Sequence, residues 1–178
     1  GDWYGKMLED LIQLAYKNAP ELEFRIYGFN PSWSKEFNDW ALAENIFQGS
    51  VDFSTLQEKA ANCDLLLLPM GFGEDCKQVE STSFKTKFLD YLTFRKPIIV
   101  WGPEYSSAVR VAKEFDSAET CLSHEASECL AKIIKVKNSK VRQNELKINA
   151  LTMYKDRFHP DKIHSSLVQK ISDLSSWK

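Results

Sequence analysis

Hydrophobic positions along this chain follow two periods, one typical of helices and one typical of strands. The helical period is clearest over residues 6 to 18. An unbroken run of leucines at 65 to 68 ends at Pro69, which is typical of a parallel strand covered on both faces. We predict strands at 22 to 27, 45 to 48, 63 to 68, 98 to 101 and 118 to 122, and helices at 6 to 18, 55 to 61, 84 to 94, 106 to 114 and from 125 onward.

This alternation of apolar strands and helices predicts an α/β fold with a doubly wound, Rossmann-like parallel sheet. We expect residues 1–178 to form one domain with helices at its C-terminal end. Ser54 is the predicted N-cap of the helix over 55 to 61. Residues 69 to 83, which include Gly71 and Gly73, are predicted as a long loop, and long loops after strands often carry function.

Composition and charge narrow the class of protein. The chain has 178 residues, of which 43% are hydrophobic and 27% charged, as in a folded globular domain. Its 23 basic and 25 acidic residues argue against a nonspecific binder of nucleic acid or of an anionic membrane. No apolar run approaches the ~20 residues of a membrane span, and the four cysteines form no CxxC pair. We therefore expect a soluble cytoplasmic protein in which anions bind only at a local site.

The helix after the long loop carries the strongest candidate site. At helical spacing, Ser83, Thr86, Lys87 and Asp90 fall in one polar sector. The hydroxyls, amides and lysine of the first turn suit a phosphate, which the helix dipole favours. One turn further, Asp90 can accept two hydrogen bonds from the vicinal hydroxyls of a ribose. The alternative is a simple N-cap cluster followed by a solvated helix face.

Two stretches resemble the donor-binding C-terminal domain of GT-B-fold glycosyltransferases. They are DLLLLP at 64 to 69 and TKFLDYLTFRKPIIV at 86 to 100, and they are similar to the retaining group that includes many bacterial polysaccharide enzymes. The resemblance covers about residues 1 to 120. It implies transfer of a sugar from a UDP- or GDP-linked donor to a glycan or lipid-linked glycan, without a metal or a further cofactor.

The resemblance also assigns residues by position. It places Asp90 at the ribose and Ser83, Thr86 and Lys87 at the diphosphate. Lys6 is a further candidate for the diphosphate, although it also suits a surface lysine at a helix start. Val51 and Phe53 are expected near the base, where Phe53 either stacks on the base or packs in the core. Gly71 and Gly73 suit a close backbone approach to the donor, or only a turn.

One position departs from the family pattern. Many members carry a glutamate eight positions before the ribose acid, where it contacts the transferred sugar, but Thr82 stands there in this chain. Glu80 is the nearest carboxylate, so Glu80 and Thr82 are both candidates for the donor sugar. The alternative for Glu80 is an ordinary exposed carboxylate in a loop. The residue that performs the chemistry stays unassigned.

The first residue is glycine, which suggests a piece of a longer protein. We expect an N-terminal acceptor domain outside this sequence, an isolated piece that is inactive, and membrane contact only through the whole protein.

Two alternatives stay open. One is a noncatalytic domain that binds a nucleotide or a protein, which the threonine at position 82 favours. The other is a receiver-like signalling domain, but a receiver needs an aspartate where Pro69 and Met70 end the leucine-rich strand. A zinc site at Cys121, His124 and Cys129 lacks a fourth ligand at a usual spacing, so no metal is expected.

Overall fold

Three parallel strands form one sheet in the computed structural model, which describes residues 3 to 175. The strands are β1 (Leu66–Pro69), β2 (Ile98–Trp101) and β3 (Glu119–Cys121), in the spatial order β1-β2-β3. The register pairs Leu67 with Ile99 and Trp101 with Cys121. Because the strands are parallel, the loops that follow them meet at one edge of the sheet.

Helices account for most of the described chain. They are α1 (Gly5–Asn18), α2 (Lys35–Ala43), α3 (Phe53–Ala61), α4 (Glu74–Thr82), α5 (Thr86–Thr93), α6 (Ser107–Phe115), α7 (Ala126–Asn138), α8 (Lys140–Met153) and α9 (Pro160–Ser175). A π-helical turn, Tyr154–Phe158, joins α8 to α9. None of the helices in residues 3 to 175 combines the length and the apolar character that crossing a bilayer requires.

The sheet is covered by helices on both faces, as the sequence predicts. All four residues of β2 are fully buried. Ile99 and Trp101 pack with α1 and α7, whereas Ile98 and Val100 pack with α5, α6 and α8. Adjacent residues of a strand point to opposite faces. Burial of each such apolar side chain contributes about 1.5–3 kcal/mol to the stability of the fold. The Rossmann-like, doubly wound arrangement with C-terminal helices is therefore confirmed.

The predicted strands at 22 to 27 and 45 to 48 are wrong as regular strands. The two segments meet at an isolated parallel bridge between Ile26 and Phe47. The Ile26 amide donates to Ile46 O at 2.8 Å, and the Gln48 amide donates to Ile26 O at 2.9 Å. The alternation that predicted a strand arises because Phe24 and Ile26 both pack into the core. Burial of these side chains does not require a longer ladder.

The predicted loop over residues 69 to 83 is also wrong, because α4 occupies most of it. Gly73 precedes this helix, and Glu74 and Asp75 lie in its first turn, where the helix dipole favours acids. Cys76 and Glu80, one turn apart, are its two buried residues. The sequence pattern does not predict α4, because a polar stretch with so few apolar side chains shows no clear amphipathic period.

The N-cap of α3 is Asp52 rather than Ser54. The Asp52 carboxylate accepts the Thr55 amide at 2.8 Å, and the Ser54 hydroxyl donates to the same carboxylate at 2.7 Å. These hydrogen bonds lower the pKa of Asp52 to about 2, and the hydrogen bond from Ser54 has the largest effect. The helix therefore begins at Phe53, two residues before the predicted start.

Candidate functional site

The end of β1 and the start of α5 are joined through one buried carboxylate. Glu80 Oε1 accepts the Gly71 amide at 3.2 Å and forms an ion pair with Lys85 Nζ, also at 3.2 Å. Lys85 is the N-cap residue of α5, and its Nζ lies 5.9 Å from the centroid of the Trp3 ring. These contacts form one cluster around Glu80. Its other members are Gly71 after β1, Lys85 at the N-terminus of α5, and Trp3 just before α1.

The N-terminus of α5 lacks the groups that usually satisfy a helix start. Among residues 3 to 175 no side-chain hydrogen bond caps it, and no acid lies in its first turn. Thr86 and Lys87 are exposed there, and their side chains make no hydrogen bond or ion pair within residues 3 to 175. A cation in the first turn opposes the helix dipole. Free amides beside a lysine favour an anion at this position.

Asp90 lies one turn further along α5. Its side chain is half-buried and makes no hydrogen bond or ion pair with any residue that the structure describes, while its backbone carbonyl accepts the Thr93 hydroxyl at 2.7 Å. Thr86, Asp90 and Phe94 follow each other at four-residue spacing, so they lie along one stripe of the helix. The stripe carries a free carboxylate about 5–6 Å from the anion-binding end.

The far end of this stripe meets the aromatic side chain of the first residue of α3. The Phe53 ring lies 6.0 Å from the Phe94 ring, in a tilted arrangement, and 52% of Phe53 stays exposed. Val51, two residues earlier, is also exposed. Along α5 the order is therefore amides with a lysine, then a carboxylate, then an exposed aromatic surface. A nucleoside diphosphate presents its phosphate, ribose and base in the same order.

Ser83 and Thr82 lie where α4 ends. The Ser83 carbonyl accepts the Ser107 hydroxyl at 2.7 Å, and its amide donates to Val79 O at 2.8 Å. The Ser83 side chain is exposed between α4 and α5. The Thr82 hydroxyl donates to Gln78 O at 2.7 Å within α4, so the helix backbone already occupies its proton.

The sequence left open that Glu80 is an exposed carboxylate in a loop, and that alternative is wrong. Glu80 lies in α4 and is fully buried, and its Oε2 atom has no hydrogen-bond partner in the described part of the chain. A buried carboxylate is costly unless it is paired. Lys85 supplies the compensating charge and keeps 26% of its side chain exposed.

The two loop glycines have different surroundings. A Cβ on Gly71 would lie 2.6 Å from Cys76 Sγ and 2.7 Å from Trp3 Cβ. Packing against the protein's own side chains therefore requires a glycine there. Gly73 is exposed and has an ordinary negative φ, and its Cβ would meet only the flexible side chain of Asp75.

Lys6 lies in the first turn of α1, with 71% of its side chain exposed. Its Nζ pairs with Asp10 at 2.8 Å and with Glu9 at 3.5 Å. The hydrogen bond with Asp10 is the main cause of a raised Lys6 pKa. The structure therefore places its charge among acids of its own helix rather than in the cluster around Glu80.

Sequence reasoning missed Lys85 and Phe94. Lys85 follows Glu80 by five residues, across the break between two helices, and no periodic pattern relates side chains across such a break. Phe94 could have been found, because it lies four residues after Asp90 on the same predicted face. In the described part of the chain, no group of three or more His, Cys, Asp or Glu side chains is placed to hold a metal ion.

Comparison with known proteins shows the fold. No family model and no curated protein matches the sequence. A chain in the crystal structure of the GtfA/B complex, a glycosyltransferase complex, matches with a TM-score of 0.62 and 16% identity. The match covers 97% of this chain and 33% of that chain, so this chain spans a third of the length of the solved one. The chain therefore shares its Rossmann-type fold with a third of that solved chain.

Proposed function

We propose that this chain is the nucleotide-sugar-binding part of a glycosyltransferase that transfers a sugar from a nucleoside diphosphate to an acceptor. The support is the order of groups along α5, together with a fold that a glycosyltransferase complex also contains. The observation that carries the proposal is Asp90. It is a half-buried carboxylate without a described partner, one turn from a helix N-terminus that has no cap and no acid.

Each group has a role in this reaction. The diphosphate is the leaving group, and the amides of α5 with Ser83, Thr86 and Lys87 stabilise the charge that develops on it. Asp90 accepts hydrogen bonds from the ribose, and Phe53 with Val51 covers the base. Glu80 and Thr82 stay candidates for the donor sugar.

The remaining parts of the reaction are proposed to lie outside this sequence. Those parts are the acceptor site, for a glycan or a lipid-linked glycan, and the groups that fix a retaining outcome. The chain corresponds to a third of the solved relative, which supports a division of the whole protein into donor and acceptor parts. We expect the isolated chain to bind the donor without turning it over.

Isothermal titration of this chain with UDP, GDP and ADP, each beside its nucleoside, tests the proposal. We expect one diphosphate to bind, with the matching nucleoside binding more weakly because it lacks the contacts with α5. Failure of all three diphosphates to bind at millimolar concentration would contradict the proposal.

A noncatalytic nucleotide-binding domain is a second candidate, because Thr82 replaces the glutamate of the family pattern and Glu80 is buried. Titration with nucleoside diphosphate-sugars separates the two functions. A donor domain should bind one nucleoside diphosphate-sugar more tightly than its epimers. Equal affinity for every sugar attached to the preferred nucleotide would favour the noncatalytic domain.

A further inference from the structure

An ion pair between the fully buried Glu80 and the partly exposed Lys85 lies beside the N-terminus of α5, and the roles given above to Lys87 and Thr86 do not require it. Glu80 is fully buried, and Lys85 Nζ lies 3.2 Å from its Oε1 atom. Replacing a buried ion pair with apolar residues is often neutral or stabilising, so a gain in stability is a weak reason for this pair. Its position between the end of β1 and the start of α5 is the more informative feature.

The ammonium group of Lys85 is held in place but not enclosed. Glu80 contacts it at 3.2 Å, and the Trp3 ring centroid lies 5.9 Å away. An ammonium has three donors, and 26% of the Lys85 side chain still faces solvent. Lys85, the N-cap residue of α5, therefore carries a cation that is both positioned by Glu80 and partly exposed.

We propose that Lys85 is a second cation for the diphosphate of the bound nucleotide, held in place by the buried carboxylate of Glu80. This inference rests on the proposed function. Lys87 is exposed and has no partner among residues 3 to 175, so it must be ordered on binding. Lys85 is already ordered by Glu80 and loses less conformational freedom when an anion arrives. Lys85 is a binding residue, and Glu80 is a positioning residue through its Oε1 atom.

The first test measures binding with the ion pair neutralised in two steps. Lys85→Met alone would leave Glu80 buried without a counter-charge, so the comparison is E80Q against E80Q/K85M. The ligands are the nucleoside diphosphate that the unmodified chain prefers and its nucleoside. We expect E80Q/K85M to bind the diphosphate about 10-fold or more weakly than E80Q, because a charge-assisted contact is lost. Affinity for the nucleoside should change less than about 2-fold.

Two further variants control for charge and stability. K35M removes an exposed lysine that pairs with Asp39 on α2, and it should leave both affinities unchanged. K85R keeps the positive charge and should retain most of the affinity for the diphosphate. Equal losses for diphosphate and nucleoside in E80Q/K85M, or no loss for either, would overturn the inference.

A second measurement needs no variant and covers the case in which E80Q does not fold. Acetylation of lysines by acetic anhydride, followed by mass spectrometry, reports how accessible Lys85 is. The diphosphate should slow acetylation of Lys85 several-fold. The nucleoside should not slow acetylation of Lys85, and the diphosphate should not slow acetylation of Lys35. Unchanged acetylation of Lys85 at saturating diphosphate would overturn the inference.

The tests also separate this inference from the proposed function. If none of UDP, GDP and ADP binds the unmodified chain, both are contradicted. If a diphosphate binds and requires Asp90 but is indifferent to Lys85, only the role of Lys85 is wrong.

Discussion

Asp90 stands out among the acidic residues near the sheet because it is half-buried without a described partner. Glu80, Glu119 and Asp116 are each compensated by a lysine or an arginine. A partly buried carboxylate left free has acceptors available for a ligand with two neighbouring hydroxyls. The ribose of a nucleotide offers such a pair.

Asp90→Ala is therefore expected to weaken binding of the preferred nucleoside diphosphate by about 1.5–3 kcal/mol, the loss typical of hydrogen bonds to a charged group. Isothermal titration measures the change. The control is D64A, which removes an exposed aspartate two residues before β1 that has no assigned role in the proposed site. If D90A and D64A bind the nucleotide equally well, Asp90 does not bind ribose.

The first turn of α5 gives a second prediction for single residues. Thr86→Val together with Lys87→Ala removes a hydroxyl and a charge that have no described partner in the protein. Affinity for the nucleoside diphosphate should fall by more than affinity for the nucleoside, because only the former has phosphates. Titration of both ligands gives this ratio. Equal losses would show that the first turn does not contact phosphate.

Glu80 and Lys85 show what sequence alone leaves undetermined for single residues. The polar face that joins Thr86, Lys87 and Asp90 follows from spacing within one helix, and the structure shows those residues on α5. The contact between Glu80 and Lys85 depends on how α4 packs against α5. The spacing of residues in the sequence does not reveal how these two helices pack against each other.

Among the elements, the short connection between β1 and α4 determines where the cluster forms. Gly71 lies between Trp3 and Cys76, and its amide binds Glu80. Because Gly71 has no side chain, the backbone at this position can lie close to α4. The start of α4 and the position of Glu80 therefore depend on this glycine.

Gly71→Ala is expected to lower the free energy of unfolding by about 1–3 kcal/mol, because the added methyl group would force Trp3 or Cys76 to move. Denaturant unfolding of the chain measures the effect. Gly28→Ala is the matched control, since no atom of the described residues lies within 4 Å of its Cβ position. A G71A variant as stable as G28A would contradict the packing described for this connection.

The elements that the sequence predicts well are those with a single strong period. β1 and β2 follow from continuous apolar runs, and α1 from its apolar stripe. α4 was missed because its inward face combines Cys76 with a charged Glu80, which looks polar in the sequence. The segments around Ile26 and Phe47 were overpredicted because their side chains alternate while their backbones pair only at one bridge.

For the whole molecule, an ionic cluster ties α6, β3, α7 and α8 together. Arg142 binds both carboxylate oxygens of Asp116 at 2.7 Å, and its Nε donates to Glu119 at 3.2 Å. Lys132 pairs with Glu119 at 3.0 Å. The hydrogen bond from Arg142 lowers the pKa of Asp116. Burial would raise the pKa of Glu119, but Lys132 and Arg142 outweigh it and lower that pKa as well.

This cluster predicts how stability depends on pH. Because both carboxylates have lowered pKa values in the folded chain, the unfolded chain binds protons first as the pH falls. Their contribution is present at neutral pH and is lost from about pH 4.5 downward, through their folded pKa values. Unfolding of the chain between pH 7 and pH 3 should show this loss.

Arg142→Gln should reduce that pH dependence and cost about 1–3 kcal/mol at pH 7. K113M removes an exposed pair with Glu104 and should change stability by less than about 1 kcal/mol. A pH profile of R142Q parallel to that of the unmodified chain would contradict the role of the cluster.

The proposed function requires that α5 binds the diphosphate at its N-terminus and the ribose at Asp90. A crystal structure of the chain with its preferred nucleoside diphosphate tests it most directly. We expect phosphate oxygens within hydrogen-bond distance of the amides of Thr86 and Lys87, and ribose hydroxyls hydrogen-bonded to the Asp90 carboxylate. A nucleotide bound elsewhere on the chain, with Asp90 facing only water, would contradict it.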